Sequence, residues 1–438
     1  MTISRHLAED VRLREVFGWA MYDFANSGYT TVVITAVFNA WFVAVIAGNA
    51  PWATLAWTAA LAVSYAAIIV TAPLLGAWAD AHAAKKRLLG WTTAGCVLFT
   101  AALALPGPGE VWLAVLFIVL SNFFFGTGEN IAAAFLPELA RGAAVGKVSA
   151  WGWSLGYLGG LLSLGLCLAW ISHAQAAGQT AAQFVPVTML ITAALFVVAS
   201  APTFVLLRER AHPTAANRAG GMQGAWRESW RRVAETFRAA AGFRDMRRLL
   251  LCIVLYQAGI QTVIALAAIF AQQALGFSSQ DTILLVLVVN VTAALGAFAF
   301  GLVQDKLGHV PTIALTLAGW IVMTLLAWQT ETRAGFWIAA NIAGVCLGSS
   351  QSAGRAVVAY LCPPGRHAEF FGLWGLAVKL SSILGPLTYG TVTWASGGDH
   401  RLAMLVTGVF FAAGLAMLFG IDVERGRRAA QSAGTWES

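Results

Sequence analysis

The sequence predicts an all-α integral membrane protein, with twelve transmembrane helices in two pseudo-symmetric six-helix bundles. Three observations carry that expectation. The 438 residues are 59% hydrophobic and only 11% charged, whereas a soluble domain carries about 25% charged residues. Apolar segments of the length that crosses a bilayer, about 20 residues, recur along the whole chain. A loop motif at the end of the second segment returns about half a chain later. Mean hydropathy is +0.72, which argues against a large soluble enzyme.

The apolar segments run over roughly 16–47, 53–78, 88–105, 111–135, 147–171, 184–207, 248–272, 282–304, 310–329, 335–358, 369–396 and 401–421. An even number puts both termini on one side. Of the 27 Lys and Arg residues, 24 then fall on that side, Arg333 and Arg401 on the other, and Lys379 inside a segment. The positive-inside bias makes the crowded face cytoplasmic, and the expected location is a bacterial inner membrane. Residues 1–15 show no cleavable leader pattern. The net charge of +7 is concentrated in residues 208–248, where ten Arg face four acids. That is a topology signal, and it points away from nucleic acid. Five scattered cysteines show no metal or redox spacing. No cofactor is expected, and a monomer in the lipid bilayer is.

The half-chain repeat supports the two bundles. Gly76 and Asp80 close segment 2 ahead of Lys85, Lys86 and Arg87; Gly301 and Asp305 close segment 8 ahead of Lys306. Leu136-Pro137-Glu138 leading to Trp151-Gly152-Trp153-Ser154 is echoed by Cys362-Pro363-Pro364 leading to Trp374-Gly375-Leu376, and Tyr22 by Tyr256. The expected division is 1–207, a basic cytoplasmic linker at 208–247, and 248–438. Two such halves are typical of secondary transporters, with solute bound near the midplane. Within the linker, Trp226, Trp230, Val233 and Phe237 recur at helical spacing beside Arg227, Arg231, Arg232 and Arg238. They predict an amphipathic helix on the inner membrane surface, or alternatively a solvated charged helix.

Segment 1 carries the strongest site signal. Asp23, Asn26, Ser27, Thr30 and Thr31 fall at i, i+3, i+4, i+7 and i+8, one polar stripe on a helix. An Asp at membrane depth costs at least about 2.5–3.5 kcal/mol on insertion scales, so the stripe should face a bundle interior or a watered cavity. Asp23 and Asn26 suit an ammonium group or a transported proton, or they cap the end of the helix. Asn122, Gly126, Glu129 and Asn130 form a second stripe, unless the fourth segment ends before Glu129. Gln257 and Gln261 are paired amides in segment 7, and Asn341 and Gln351 are the cavity candidates of segment 10. Lys379 needs a carboxylate or a substrate anion. With Asp23 and Glu129 it would suit a zwitterion, or form a gating ion pair. Asp80, Lys85, Lys86, Arg87, Asp305, Lys306 and Arg355 are the gating candidates. Gly152, Gly156 and Gly160 make a strip that allows close helix packing.

The Gly-x-x-x-Asp repeat resembles the loop motif of the major facilitator superfamily. Tyr22-Asp23-Phe24-Ala25-Asn26-Ser27 is similar to the branch containing the autophagy-related vacuolar amino-acid effluxers and their bacterial relatives. Supporting stretches run from Gly152 to Gly160, from Ala368 to Trp374, and over Leu384-Gly385-Pro386-Leu387. The resemblance implies the twelve-helix major facilitator fold, alternating access and, in characterised fungal members, export of neutral amino acids. Three features depart from that pattern. Tyr256-Gln257-Ala258-Gly259 lacks the branch's frequent Asp-Gly pair, Ala83 stands where Gly is usual, and Glu129 has no counterpart. The expected activity is secondary active or facilitated transport of a small polar solute, with amino acids and proton coupling as the finer reading. The alternative is efflux of amphipathic or aromatic compounds. A membrane receptor or an intramembrane hydrolase is remote: Gly152-x-Ser154-x-Gly156 mimics a nucleophile elbow but lies inside an apolar helix.

Overall fold

The computed structural model describes residues 7, 10–140, 144–210, 221–362 and 367–434. Among them there is no strand, only an isolated bridge between Leu7 and Ala140.

The first span, Leu13–Ile46, is not one regular helix. α1 covers Leu13–Tyr29. Thr30–Ala36 and Phe42–Ile46 are π-helical, with a short α-turn at Phe38–Trp41 between them. The cause is local. Residues 30–35 are Thr-Thr-Val-Val-Ile-Thr, all β-branched and crowded in a helix. The Thr30 hydroxyl donates to the Asn26 carbonyl at 3.1 Å and Thr31 to the Ser27 carbonyl at 2.8 Å. Such back-bonding bends a helix. The strict spacing assumed for the polar stripe therefore ends at Thr30.

The remaining long helices are α2 Ala53–His82, α3 Lys85–Ala102, α4 Val111–Ala133, α5 Ala144–Ala176, α6 Ala181–Leu206, α7 Gly221–Gly242 in the linker, α8 Arg244–Leu275, α9 Ser279–Leu307, α10 His309–Gln329, α11 Arg333–Leu361, α12 His367–Ala395 and α13 His400–Leu418, followed by α14 Val423–Gly434. Leaving out α7 and α14, the first span and these helices match the twelve apolar segments. Ten are long and apolar enough to cross a membrane by length and composition. The two outside that set are α3, which opens on three basic residues, and α11, whose middle is polar at Ser349, Ser350 and Gln351. Exposed side chains such as Leu98, Trp112, Val198, Leu295, Phe298 and Val409 are what acyl chains would cover.

The chain forms two compact units, residues 1–53 with 63–229 and residues 54–62 with 230–438. In the first, α1 packs on α5 and α6, and α3 on α4 and α6. In the second, α8 packs on α12 and α13, and α10 on α11 and α13. These contacts correspond helix for helix, while the close packing of α9 on α11 in the second unit has no equal between α2 and α4 in the first.

Glycine decides how close those helices come. A Cβ on Gly159 would run into the Phe24 carbonyl, and one on Gly385 into the Ala258 carbonyl. Each is the contact of the fifth helix of a unit with its first. A second repeated contact fixes the first helix against the fourth: the Tyr22 hydroxyl occupies the space beside Gly128, and the Tyr256 hydroxyl that beside Gly354. The expected glycine strip is present, and its partner is α1. Gly152 faces the Asp23 carboxylate and the Trp19 ring, Gly156 faces Ser27, and Gly160 faces Thr31.

Candidate functional site

The polar stripe of the first span divides in two. Ser27 and Thr31 lie against the α5 glycines: a Cβ on Gly156 would sit 2.8 Å from the Ser27 hydroxyl, and one on Gly160 3.1 Å from a Thr31 methyl. They are packing residues. Asp23, half-buried, lies in the notch at Gly152. Asn26 is different. It is buried, 6% exposed, and among the described residues neither its amide nitrogen nor its oxygen has a hydrogen-bond partner. Its neighbours one turn either side are committed: Tyr22 bonds Thr93 at 3.1 Å, and Tyr29 accepts from Ser121 at 3.0 Å. A buried unsatisfied amide costs about 1–3 kcal/mol, so Asn26 is an expensive residue to keep there.

The second stripe lies within α4, which continues past Glu129 to Ala133. Asn122 is fully buried and donates to the Ser64 hydroxyl at 2.6 Å, while its oxygen has no partner among the described residues. Glu129 is half-buried, next in sequence to Gly128, whose side the Tyr22 hydroxyl occupies. Asn130 is half-buried, and its backbone carbonyl accepts from Ala134 at 3.2 Å.

In the second unit, Gln257 and Gln351 are brought together. The buried Gln257 donates to the Gln351 oxygen at 3.3 Å, and its own side-chain oxygen has no partner among the described residues. Gln261 lies one turn further along α8 and is half-buried. Asn341 donates to the Trp337 carbonyl at 2.8 Å and borders an open groove of about 490 Å³ along one face of α11, lined by Trp337, Ile338, Ile342, Val345 and Cys346. Lys379 is half-buried on α12.

The gating candidates have mixed outcomes. The side chains of Asp80, Asp305 and Arg355 lie outside the described residues. Arg87 and Lys306 are exposed. Lys85 and Lys86 are drawn into a charged cluster whose acids the sequence reading did not anticipate. Glu209 accepts from the backbone N–H groups of Lys85 at 2.6 Å and Lys86 at 3.1 Å. It thereby supplies, from beyond α6, the acidic cap that Ala84 cannot give the positive end of α3. Lys85 pairs with Glu138 at 3.0 Å, and Glu138 also accepts from the Arg210 backbone at 2.9 Å. The Lys86 ammonium donates to the Leu207 carbonyl at 2.6 Å.

At the same end of this unit, Arg210 grips Glu15 with both guanidinium nitrogens, at 2.8 and 3.1 Å, and Glu15 is 2% exposed. That carboxylate holds the Arg210 guanidinium above its ordinary range. The second unit repeats the device. Asp245, 3% exposed in the first turn of α8, is gripped by Arg425 at 2.8 and 2.6 Å and also accepts from the Asp422 backbone at 3.0 Å. The available signal was an acid in the first turn of each leading helix with an arginine just past each sixth helix. Local spacing does not link residues some 200 apart.

Comparison with known proteins decides the class. The family described as "Vacuole effluxer Atg22 like" matches residues 53–431. The chain belongs to that family. It is 27% identical over 418 residues to the uncharacterized MFS-type transporter YxiO of Bacillus subtilis (strain 168), covering 93% of this chain and 94% of that one. Autophagy-related protein 22-1 of Aspergillus fumigatus is 26% identical over 328 residues, covering 69% of this chain and 53% of its own length. Autophagy-related protein 22 of Candida glabrata is 26% identical over 213 residues, 46% of this chain and 39% of its own. The chain therefore spans about half of these fungal relatives or less. Among solved structures, a bacterial homolog to the human lysosomal transporter Spinster superposes with a TM-score of 0.69 at 13% identity, covering 97% of this chain and 99% of that one. A D-xylose–proton symporter gives 0.69 at 16%, covering 94% and 99%. The fold is that of the major facilitator transporters, and the chain is a multi-pass membrane transporter, not an enzyme.

Proposed function

We propose that this transporter moves a small polar solute of the amino-acid class by alternating access, with proton coupling carried by Asp23 and Glu129. The observation that carries the reading is Asn26. A buried amide with neither atom matched, one turn from Asp23 on the first span, is a standing cost unless a solute or water meets it. The Gln257–Gln351 pair offers similar chemistry in the second unit, with an amide oxygen still to be matched. The fungal relatives are named as autophagy-related, and the family is named for vacuolar efflux, which supports export as the direction of transport. The one-sided distribution of Lys and Arg supports a bacterial inner-membrane protein with both termini and the linker cytoplasmic. Nothing in this reading requires more than a monomer.

A second reading, efflux of amphipathic or aromatic compounds, is favoured by the open groove along α11, whose lining is aromatic and aliphatic apart from Asn341 and Cys346. A thermal-shift screen of the purified protein separates the two, because a ligand of the native state raises the midpoint. Neutral amino acids raising it, with the rise lost in Asn26→Leu, is the expected result. A rise only with hydrophobic cations or aromatic compounds would replace the first reading by the second.

A further inference from the structure

The linker folds into the helix its sequence pattern suggests, α7, Gly221–Gly242. At 100° per residue, Trp230, Val233 and Phe237 fall within an arc of about 60°. Phe237 is 61% exposed, and Trp230 and Val233 are partly so. Arg227, Arg231 and Arg238 are exposed and lie about 90–130° round from the centre of that arc. Glu228 and Glu235 lie behind it, about 160–180° round. Arg231 shares its charge with Glu235 at 3.5 Å, both being more than half exposed. An apolar strip with basic residues on its shoulder and acids at its back is the arrangement of a helix lying in a bilayer surface. Arginine stems reach along the apolar edge to anionic headgroups, and the acids stay in water.

We propose that α7 is a docking helix for anionic lipid, with Trp230, Val233 and Phe237 seated at the acyl boundary and the arginine shoulder on the headgroups. This stands independently of the transported solute. The five native cysteines are buried, so a nitroxide can be placed selectively on Ala234→Cys, four residues after Trp230 and three before Phe237. The full-length labelled protein is reconstituted in phosphatidylcholine vesicles, with and without about one third phosphatidylglycerol. The expected result is a label shielded from a water-soluble nickel complex and open to oxygen in the anionic vesicles, and exposed to nickel in the neutral ones. Adding Arg227→Gln, Arg231→Gln and Arg238→Gln should lower the surface partition about a hundredfold, at about fivefold per arginine, and return the label to water. A thermal midpoint equal to the parent's shows that the triple variant is folded. Equal nickel exposure in both vesicles would overturn the proposal. So would equal shielding that the triple variant leaves unchanged, because the strip would then be covered by protein.

Discussion

Removing Arg210 should hurt far more than removing its partner. Glu15 is 2% exposed and Arg210 27%, and they meet through two short hydrogen bonds of 2.8 and 3.1 Å. Arg210→Met strands a buried carboxylate, which for a fully buried pair costs about 3–5 kcal/mol. Because water reaches the arginine side, the lower end, about 3 kcal/mol, is expected here. Glu15→Gln leaves an arginine that can turn to solvent and still reach the Asp10 carbonyl at 3.1 Å, and should cost about 1 kcal/mol. The double variant Glu15→Leu with Arg210→Met should be more stable than Arg210→Met alone, since an apolar replacement removes the stranded charge. The assay is the thermal midpoint in detergent micelles. At about 2–4 °C per kcal/mol for a unit of this size, Arg210→Met should lose roughly 6–12 °C and Glu15→Gln roughly 2–4 °C. Equal losses in the two single variants, or no recovery in the double, would refute the asymmetry and with it the view of Glu15 as a buried charge that Arg210 neutralises.

Other outcomes follow from the same geometry. Gly159→Ala drives a Cβ into the Phe24 backbone carbonyl and should cost about 3 kcal/mol or more, whereas Gly160→Ala meets a Thr31 methyl at 3.1 Å and should cost less than about 1; comparable midpoints would contradict the packing. Ala83 ends α2 at φ 47°, in the left-handed region, so Ala83→Gly should raise the midpoint by the equivalent of about 1 kcal/mol. Asn26→Leu should raise the midpoint yet abolish counterflow of neutral amino acids in proteoliposomes; lower stability with normal counterflow would mark Asn26 as structural. Gln257→Leu with Gln351→Leu should show a coupling of only about 0.6 kcal/mol, as is usual inside membranes, and a coupling several times larger would make the pair a structural clamp.

Composition and charge placement determined the class and the segments, because a bilayer forces long apolar runs and sorts their basic flanks, and the recurring Gly-x-x-x-Asp motif showed the repeat. The Gly152, Gly156 and Gly160 strip was legible for a similar reason: close approach requires small residues at helical spacing. Which helix meets that strip was not legible. The Asp23 stripe read as a single polar face, yet Ser27 and Thr31 turned out to pack on glycine, and Asn26 has no hydrogen-bond partner among the described residues. That division depends on which neighbour covers each side of α1: the α5 glycines meet Ser27 and Thr31, and Asn26 lies about 100° round from Ser27. The pairing of Glu15, Glu138, Glu209 and Asp245 was not legible because their partners stand 53 to 195 residues away in sequence. Spacing reports only what one helix can see of itself. The pairing of a first turn with the chain beyond a sixth helix exists only once the bundle has closed.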